Sequence, residues 1–267
     1  MIRPALLALI VWANTSLAQA EVMRLAVTTS FQNSGLADLL LPEIKSDLGL
    51  EVRLLVVGTG QALKLGEAGD VDAILVHSRA AEEAFIASGF GTHRREIMYN
   101  DFVFVGPSTD PAKIAQARNA TDAMRRISVA ERTFVSRGDE SGTNKKELDL
   151  WFQAGLDPRE LPDWYKSVGA GMGAALNTAT GLNGYILTDR ASWLNFGNKS
   201  GLALLFAGDP ELFNQYAFIP ISPTRHAHVR FDLTSHLEAW LTSDRARALI
   251  DSYQIDGQNL FTFNAER

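Results

Sequence analysis

The sequence has no cysteine among its 267 residues. No disulfide can support the fold, so the hydrophobic core has to be sufficient by itself, and a chain of this length can bury such a core. The absence also excludes an exported lipoprotein, because such a protein carries its lipid on a cysteine that follows the leader peptide. We therefore expect a fold that is held together by packing alone and that has no lipid anchor.

Long hydrophobic runs are missing as well. The apolar stretch near the start, residues 5–13, is too short to span a bilayer permanently. It follows Arg3 and precedes Ala18-Gln19-Ala20, which has the A-x-A pattern of a cleavage site. We predict that residues 1–20 are a signal peptide cleaved after Ala20. An exported protein without an anchor stays near its cell only where a second membrane confines it, so we predict a periplasmic location.

Positive charge is in short supply. The chain has 25 lysines and arginines against 31 acidic residues, and its formal net charge is −6. Removal of the predicted signal peptide takes away Arg3 and makes the balance more acidic. Such a surface argues against binding to nucleic acid or to anionic membranes. We also expect no direct insertion of the protein into a membrane. It also means that any anion site must be built locally, against the field of the whole protein.

What the sequence does contain is a regular alternation of strand-like and helix-like patterns. Apolar runs such as "VMRLAV", "VRLLVV", "DAILV", "DFVFVG", "TFVS" and "GYILT" each precede an amphipathic stretch. Asp110-Pro111, after the fourth run, has the pattern of an N-cap followed by proline at the first helical position and predicts a helix start. Buried strands that alternate with helices indicate an α/β fold with mostly parallel sheets covered on both faces.

Three of the strand-to-helix junctions have the same chemistry. The first strand ends in Thr28-Thr29-Ser30 and the second ends in Gly58-Thr59-Gly60, while the run "FVS" leads into Arg137 and Ser141-Gly142-Thr143. Each junction offers hydroxyls, or glycine that lets backbone amides approach a ligand closely. Ligands of such sheets bind at the carboxyl ends of strands, where first turns of helices converge.

An anion and a helix cap are the two explanations for such junctions. Free amides and a positive dipole at a helix start favour an anion, and arginine can hold an oxyanion with two parallel hydrogen bonds. Ser, Thr and Asp also begin many helices as ordinary N-caps. Because three junctions share the pattern and one adds Arg137, we predict a small oxyanion held in a cleft.

At these residues the chain resembles the tungstate-binding component of bacterial ABC importers. The resemblance rests on "TTSFQNSGL", "VVGTGQAL", "GDVDAILVH", "IMYNDFVFVGP", "FVSRGDESGT", "GAGMGAAL" and "YILTDR", in the same order from about Leu25 to Leu241. It implies a type II periplasmic-binding-protein fold, an α/β fold of two lobes in which each lobe is a mostly parallel sheet flanked by helices. Two crossing segments form the hinge, and the ligand is clamped in the cleft between the lobes.

The resemblance also implies domain boundaries and a set of binding residues. Lobe I would take residues 21–104 and 216–267, and lobe II residues 105–215. The ligand-binding residues carried over by the matching motifs are Thr28, Thr29, Ser30, Gly58, Thr59, Arg137, Ser141, Gly142 and Thr143. Residues of both lobes would stabilise the closed form around the anion.

The resemblance further implies a partner and a role. The partner would be an ABC transporter permease in the inner membrane, and we expect a monomeric binding protein without catalytic activity, cofactor or bound metal. Two positions depart from the family pattern. Phe31 stands where relatives commonly have another Ser or Thr, and Asn144 stands where they often have His. Both lie beside the predicted site, so tungstate, molybdate and vanadate stay open as ligands, with phosphate and sulfate as further alternatives.

An enzyme is a different class of function for an oxyanion cleft. A periplasmic phosphate-ester hydrolase would need a nucleophile, yet the sequence has no G-x-S-x-G elbow, no H-E-x-x-H and no Walker loop. His77, at the end of "AILV", has the position of a base for a serine. We expect it to form hydrogen bonds at the lobe interface instead, and turnover of a chromogenic phosphate ester would distinguish the two functions.

Two further patterns suggest other ligands. "VGAGMGAALNTA" imitates a dinucleotide fingerprint, with Gly169, Gly171 and Asp189 in place, but the preceding "DWYKSV" is a poor buried strand. His228, Asp232 and His236 would share a face of a helix as metal ligands, with His226 nearby. We favour instead an N-cap role for Asp232, because Pro223 and Phe231 interrupt a helix and no second acidic cluster completes a metal site.

Overall fold

The computed structural model describes residues 21–266, so the predicted signal peptide lies outside the described residues. The helices are α1 (Thr29–Asn33), α2 (Leu36–Leu48), α3 (Thr59–Ala68), α4 (Arg79–Ala87), α5 (Ala120–Val129), α6 (Gly142–Gln153), α7 (Met172–Leu182), α8 (Arg190–Asn195), α9 (Phe231–Leu241) and α10 (Asp244–Ser252). The strands are β1 (Glu21–Thr28), β2 (Leu50–Val57), β3 (Ala73–Val76), β4 (Arg95–Pro107), β5 (Phe134–Ser136), β6 (Tyr165–Ser167), β7 (Tyr185–Asp189), β8 (Leu202–Phe206), β9 (Phe213–Pro220), β10 (Gln254–Ile255), β11 (Gln258–Asn259) and β12 (Thr262–Phe263).

Lobe I is organised around β1, whose continuous apolar pattern places it inside the sheet. β1 pairs in parallel with β2 on one side and with β3 on the other, and β9 pairs antiparallel to β3. Helices cover both faces: Leu36 and Leu40 of α2 join the core on one face, and Ala62 and Leu63 of α3 join the core on the other. The parallel strands bring their carboxyl ends, and with them two of the three junctions, to one edge.

Lobe II repeats this arrangement on a smaller scale. β5 pairs in parallel with β6 and with β7, and β7 pairs antiparallel to β4. Trp151 of α6 is fully buried on one face beside Phe134, and Leu176 of α7 is buried on the other. The third junction therefore lies at the carboxyl end of β5, between two helices that start near the same edge.

The two lobes are connected by two strands that lie side by side. β4 pairs with β9 through Asp101, and from Phe102 onward it pairs with β7. At the crossing, the buried Asn214 donates a hydrogen bond to Asn100, with Nδ2 and Oδ1 separated by 2.6 Å. β4 and β9 therefore both pass from one lobe to the other at the same place, which is the geometry of a two-segment hinge.

The predicted α/β, two-lobe fold is confirmed in this structure, in which each parallel pairing lies within one lobe and the strands that cross are antiparallel. The exact lobe boundaries stay a prediction. No helix of the described residues combines the length and the apolar character that a membrane span requires.

One predicted helix start was wrong. Asp110-Pro111 does not begin a helix; Asp110 has a positive φ of 43°, and α5 begins only at Ala120 after a cap by Asn119. The Asp110 carboxylate instead accepts hydrogen bonds from the amides of Ile114 and Ala115. Because an Asp carboxylate can satisfy local amides in a turn as well as at a helix start, the sequence pattern was ambiguous.

Candidate functional site

The three junctions predicted from the sequence all fall at helix starts. Thr29, Thr59 and Gly142 are the first residues of α1, α3 and α6. The first turns of these three helices contain no acidic residue, which is also true of α7 and α8, whereas α2, α4, α5, α9 and α10 each have one. A carboxylate in the first turn would compensate the positive helix end, so its absence leaves these three ends available to an external anion.

Arg137 lies where the third junction faces the first. It is 3 % exposed, and its Nη2 donates to Thr29 Oγ1 at 3.3 Å across the lobe boundary. Nη2 also pairs with Asp139 Oδ2 at 2.6 Å, while Nε is buried without a partner. A buried guanidinium N–H without an acceptor is costly, so Arg137 has donor capacity for a further ligand at this position.

Asp139 was missed as a functional residue, although it stands within the same motif. Its Oδ1 accepts the backbone N–H of Ser141 at 3.2 Å, and its other oxygen binds Arg137. The carboxylate therefore holds the loop between β5 and α6 and also neutralises the guanidinium charge. An entering dianion consequently meets a site whose formal local charge is close to neutral, so helix ends and hydroxyls have to contribute much of its stabilisation.

Two threonine hydroxyls, one from each lobe, are buried without a partner. Thr59 is 0 % and Thr143 is 1 % exposed, and the Oγ1 atom of each has no hydrogen-bond partner. Gly142, the neighbour of Thr143 in the chain, lies close to Thr59: a Cβ on this glycine would lie 3.1 Å from Thr59 Oγ1. Buried hydroxyls without partners are uncommon because their desolvation is not compensated, and an oxyanion between the lobes would supply the missing acceptors.

The first junction is tied into a network of hydroxyl groups. Ser30 Oγ lies 2.9 Å from Thr28 Oγ1, 3.0 Å from His77 Nε2 and 3.1 Å from the hydroxyl oxygen of Tyr216. All four side chains are buried. His77 follows the end of β3 and Tyr216 lies within β9, both far from Ser30 in sequence, so only the assembled lobe brings them to Ser30.

His77 is neutral in this environment. Burial, together with the positive charge of Arg137, lowers the pKa of His77 to about 3. Burial also raises the pKa of the Tyr216 hydroxyl, so this group stays protonated as a donor. The network is thus a set of uncharged donors and acceptors directly behind the first junction.

The helix-cap explanation is also realised, at two of the predicted residues. Thr28 Oγ1 accepts the backbone N–H of Phe31, and Ser141 Oγ accepts that of Asn144, each at 3.2 Å. Capping uses an oxygen lone pair and leaves the hydroxyl hydrogen free to donate elsewhere. A cap and an anion contact are therefore compatible at both residues.

The structure brings the predicted residues together as pairs across the lobes. Thr29 contacts Arg137, Thr59 lies beside Gly142, and a Cβ on Gly58 would be 3.7 Å from Ser141. The remaining members are Thr28 and Ser30, which belong to the hydroxyl network, and Thr143, which follows Gly142. Their roles as ligands stay a prediction.

A buried carboxylate supports lobe II's part of the site. Glu147 accepts hydrogen bonds from Ser136, Asn144, Trp151 and Tyr165 at 2.5 to 3.0 Å. Burial raises the pKa of Glu147, and these four donors oppose that rise.

Asn144 joins this carboxylate to the loop that carries Arg137. Its Nδ2 binds Glu147 and Ser136, and its Oδ1 accepts the amide of Glu140 at 3.2 Å. The residue that departs from the family pattern therefore has a defined supporting role. At the other departure, Phe31 is buried against Tyr216, with ring centroids 6.3 Å apart, and adds no hydroxyl to the site.

The dinucleotide pattern has no support in the structure. Asp189, the residue in the ribose-binding position, is fully buried as the N-cap of α8, where Oδ1 accepts the amide of Ser192 at 2.9 Å. β6, the strand before the glycines, has only three residues, two of them exposed. Burial raises the pKa of Asp189 while the charge of Arg137 opposes the rise, so this carboxylate belongs to the interior below the cleft.

The histidine cluster does not form a metal site in the described part of the chain, where no group of three metal-ligating side chains converges. The Nε2 atoms of His226 and His228 each lie 2.9 Å from a backbone carbonyl oxygen, of Glu67 and Gly69. The prediction that Asp232 is an N-cap was wrong: α9 begins at Phe231 with Arg230 as its cap, and Asp232 lies in the first turn. The expected aromatic interruption is absent because Phe231 is itself helical.

Known proteins resemble this chain over most of its length. A sequence profile described as "PBP superfamily domain" matches residues 15–245. The chain is 43% identical to the tungstate-binding protein TupA of Peptoclostridium acidaminophilum, over 91% of this chain and 86% of that protein. It is 36% identical to TupA of Campylobacter jejuni, over 89% of each.

Two solved structures are similar over nearly their entire length. TupA from Desulfovibrio alaskensis G20 superposes with a TM-score of 0.80 at 42% identity, covering 92% of this chain and all of that one. The tungstate ABC transporter structure from Geobacter sulfurreducens superposes with a TM-score of 0.80 at 46% identity, covering 87% of this chain and 99% of that one.

Proposed function

Because this chain belongs to the PBP superfamily and, within it, to the family of TupA tungstate-binding proteins, we propose that it captures a tetrahedral oxyanion, tungstate before others, for delivery to an ABC importer. One observation carries the proposal beyond the likeness. Buried polar atoms without partners, Thr59 Oγ1, Arg137 Nε and Thr143 Oγ1, lie on both sides of the lobe boundary. Such atoms are what a desolvated oxyanion would satisfy.

The proposed binding residues are those of the three junctions. Hydroxyls of Thr28, Thr29, Ser30, Thr59 and Thr143, amides at Gly58, Ser141 and Gly142, and the guanidinium of Arg137 would surround the anion. A tetrahedral dianion loses its hydration shell on entering, and a dense set of fixed donors offsets that cost. Since the donors come from both lobes, binding favours the closed form over the open one.

The proposal includes where and with what the protein works. We expect a monomeric periplasmic protein, released by cleavage after Ala20, whose closed form docks on a permease in the inner membrane. The proposed role needs no catalytic step. Its donors hold an anion. Ser30 Oγ lies 3.0 Å from His77 Nε2, but the same oxygen also contacts Thr28 and Tyr216 within a buried network of hydroxyls.

A melting-temperature panel tests the proposed function. Purified mature protein is heated with tungstate, molybdate, vanadate, sulfate or phosphate at equal concentration and constant ionic strength, with sodium chloride as the blank. A ligand that binds only the folded state adds stability as RT ln(1 + [L]/Kd), so the order of the shifts ranks the affinities. We expect tungstate first and sulfate and phosphate far behind. A larger shift with phosphate would move the function to phosphate capture, and no shift with any oxyanion would refute the proposal.

A further inference from the structure

The ring of His77 lies at a point where both lobes and both crossing strands meet. Its centroid is 4.9 Å from that of Tyr216 on β9 and 6.1 Å from that of Phe102 on β4. Gly142 of lobe II packs against the His77 ring: a Cβ on that glycine would lie 2.5 Å from Cε1 and 2.6 Å from Nδ1 of the ring. No bulkier residue at the start of α6 could approach the ring this closely.

A count of protons shows what the hydroxyl network can offer. The hydroxyls of Thr28, Ser30 and Tyr216 and the neutral ring of His77 carry four protons, and the network contains three hydrogen-bond contacts. Each contact uses one proton, so one donor points out of the network. Ser30 Oγ is the centre of the network, and Thr28, Tyr216 and His77 are its three ends; Nδ1 of His77 has no partner. The neutral network therefore has one donor that is not used within it, and it carries no charge.

A protonated ring would change this balance. Nδ1 would then carry a proton, and the ring would be positively charged. The side chain of His77 is only 7 % exposed to solvent, and it contacts Gly142, the first residue of α6. The N-terminal end of that helix is itself positive, and Arg137 lies near enough for its charge to disfavour a second cation. Closing the lobes over a charged His77 is consequently unfavourable.

The groups that face His77 from the surrounding elements offset this charge only in part. Ser30 of α1 and Tyr216 of β9 are hydroxyls, and Asn214 of β9 contributes an amide that favours the protonated ring, but burial and Arg137 outweigh it. The loop after β5 contributes Arg137. Further out, the groove of about 920 Å³ that borders the ring is lined by the charged residues Arg79, Arg94, Glu96, Lys145, Lys146 and Asp149. The two carboxylates there each pair with a basic neighbour, Glu96 with Arg94 and Asp149 with Lys146, so neither is free to compensate the charge of the ring.

We propose that His77 is a positioning residue for ligand capture: lobe II closes against its neutral ring, and protonation of the ring holds the lobes apart. The inference rests on the proposed oxyanion function and concerns how the site closes. When Gly142 moves away, the ring, which already borders the groove, becomes accessible to water at Nδ1. The open form then takes up a proton that the closed form rejects, so oxyanion binding weakens as the solution becomes acidic.

The direction follows from the pKa of the ring in the two forms. In this structure the pKa of His77 is lowered to about 3, whereas a hydrated histidine has an ordinary value of about 6.5, which we assign to the open form. Above that ordinary value the ring is neutral in both forms and closure has no protonation cost. Below it the open form gains a proton, and affinity at pH 5.5 should be about tenfold weaker than at pH 7.5.

The test is a titration with tungstate at micromolar concentration, where the anion stays a monomeric tetrahedral dianion, at pH 7.5, 6.5 and 5.5. Three proteins are compared: wild type, His77→Gln, which keeps an amide able to bind Ser30 but cannot titrate, and His93→Gln as the control. His93 lies on the surface of lobe I beside Glu238, away from the cleft. Small-angle scattering at saturating tungstate and at each pH reports closure of the same proteins.

Wild type and His93→Gln should lose about tenfold in affinity between pH 7.5 and pH 5.5, whereas His77→Gln should change less than twofold. At pH 7.5 His77→Gln should bind tungstate measurably and compact on binding. A flat profile in wild type, or an equal acid loss in His77→Gln, would overturn the role of His77 and leave the oxyanion function standing. Absence of tungstate binding by wild type at pH 7.5 would instead overturn the proposed function and the inference with it.

Discussion

The two lobes contribute different kinds of chemical group to the proposed anion site. Lobe I offers Thr28, Ser30 and His77, which are uncharged and hydrogen-bonded to one another. Lobe II offers Arg137, whose charge is already paired with Asp139. Lobe I thus supplies neutral donors in a preformed network, and lobe II supplies a fixed charge on a loop that the buried Glu147 supports through Asn144.

This difference indicates how much each lobe should contribute to the affinity for the anion. A hydroxyl can be removed without leaving a charge unpaired, whereas the loss of a guanidinium leaves a buried anion with fewer charge-assisted bonds. Substitutions in the charged half should therefore weaken binding more than substitutions in the neutral half. Contacts between the halves should have intermediate effects, because they govern closure rather than the donors themselves.

The largest effect is expected for Arg137. Arg137→Gln removes a charge-assisted and bidentate-capable donor, which corresponds to about 2–5 kcal/mol, or roughly a thirtyfold to several-thousandfold weaker binding of tungstate. Arg137→Lys should retain part of the affinity, since the charge survives while the planar fork is lost. The measurement is calorimetric titration of each variant with tungstate.

A matched control for these variants is Arg132→Gln, an exposed arginine on the same lobe. It should bind tungstate like wild type. Melting of the ligand-free Arg137→Gln protein should show a modest change, because the pair with Asp139 is the main interaction lost. Near-native affinity of Arg137→Gln would contradict the assigned site, and loss of the fold would make Arg137 a structural residue.

The contact between the halves should give the next largest effect. In Gly142→Ala the added Cβ would lie 2.5 Å from the His77 ring and 3.1 Å from Thr59 Oγ1, so the lobes could not close to the same distance. Overpacking of this kind corresponds to about 2–3 kcal/mol, or roughly thirty- to 150-fold weaker binding. Titration and small-angle scattering together should show weak binding and incomplete compaction.

Gly181→Ala is the control for this substitution, because Gly181 lies in α7 with no atom within 4 Å of an added Cβ. It should keep wild-type affinity, and its free energy of unfolding should stay equal or increase slightly, since alanine favours a helix over glycine. Wild-type compaction of Gly142→Ala would show that the lobes do not close as tightly as the structure has them.

The smallest effect is expected for the hydroxyl of Thr143. Thr143→Val keeps the shape and removes a donor to the anion, which corresponds to about 1.5 kcal/mol, or roughly tenfold weaker binding. Its ligand-free melting temperature should stay the same or rise, because the hydroxyl is buried without a partner. Thr178→Val, on the outer part of α7, should change neither quantity. A lower ligand-free stability of Thr143→Val with unchanged affinity would assign the hydroxyl a structural role.

Local sequence patterns predicted the helix starts of the site well. Thr29, Thr59 and Gly142 each follow a strand end within a few residues, and capping preferences act over that range. The same local rules failed at Asp110 and at Asp232. In both cases an acidic residue is compatible with more than one local structure, and neighbouring contacts decide between them.

The partners of the site residues could not be predicted from local patterns. Asp139 is two residues from Arg137, yet a pair at that spacing forms only because the loop between β5 and α6 turns back on itself. Ser30 and Tyr216 are 186 residues apart, and no periodicity in the sequence relates them. Which hydroxyls are satisfied and which, like Thr59 Oγ1, stay without a partner depends on such distant contacts.

By itself the sequence determined the α/β alternation, the three polar junctions and the single arginine among them, because strand and helix periods and capping preferences are properties of short segments. Tertiary structure alone decided that Arg137 reaches Thr29 from the other lobe and that Gly142 closes against His77. The physical reason is that a cleft is made by surfaces from separate lobes. Their fit depends on how the crossing strands β4 and β9 orient two cores, and not on any stretch of chain that can be read alone.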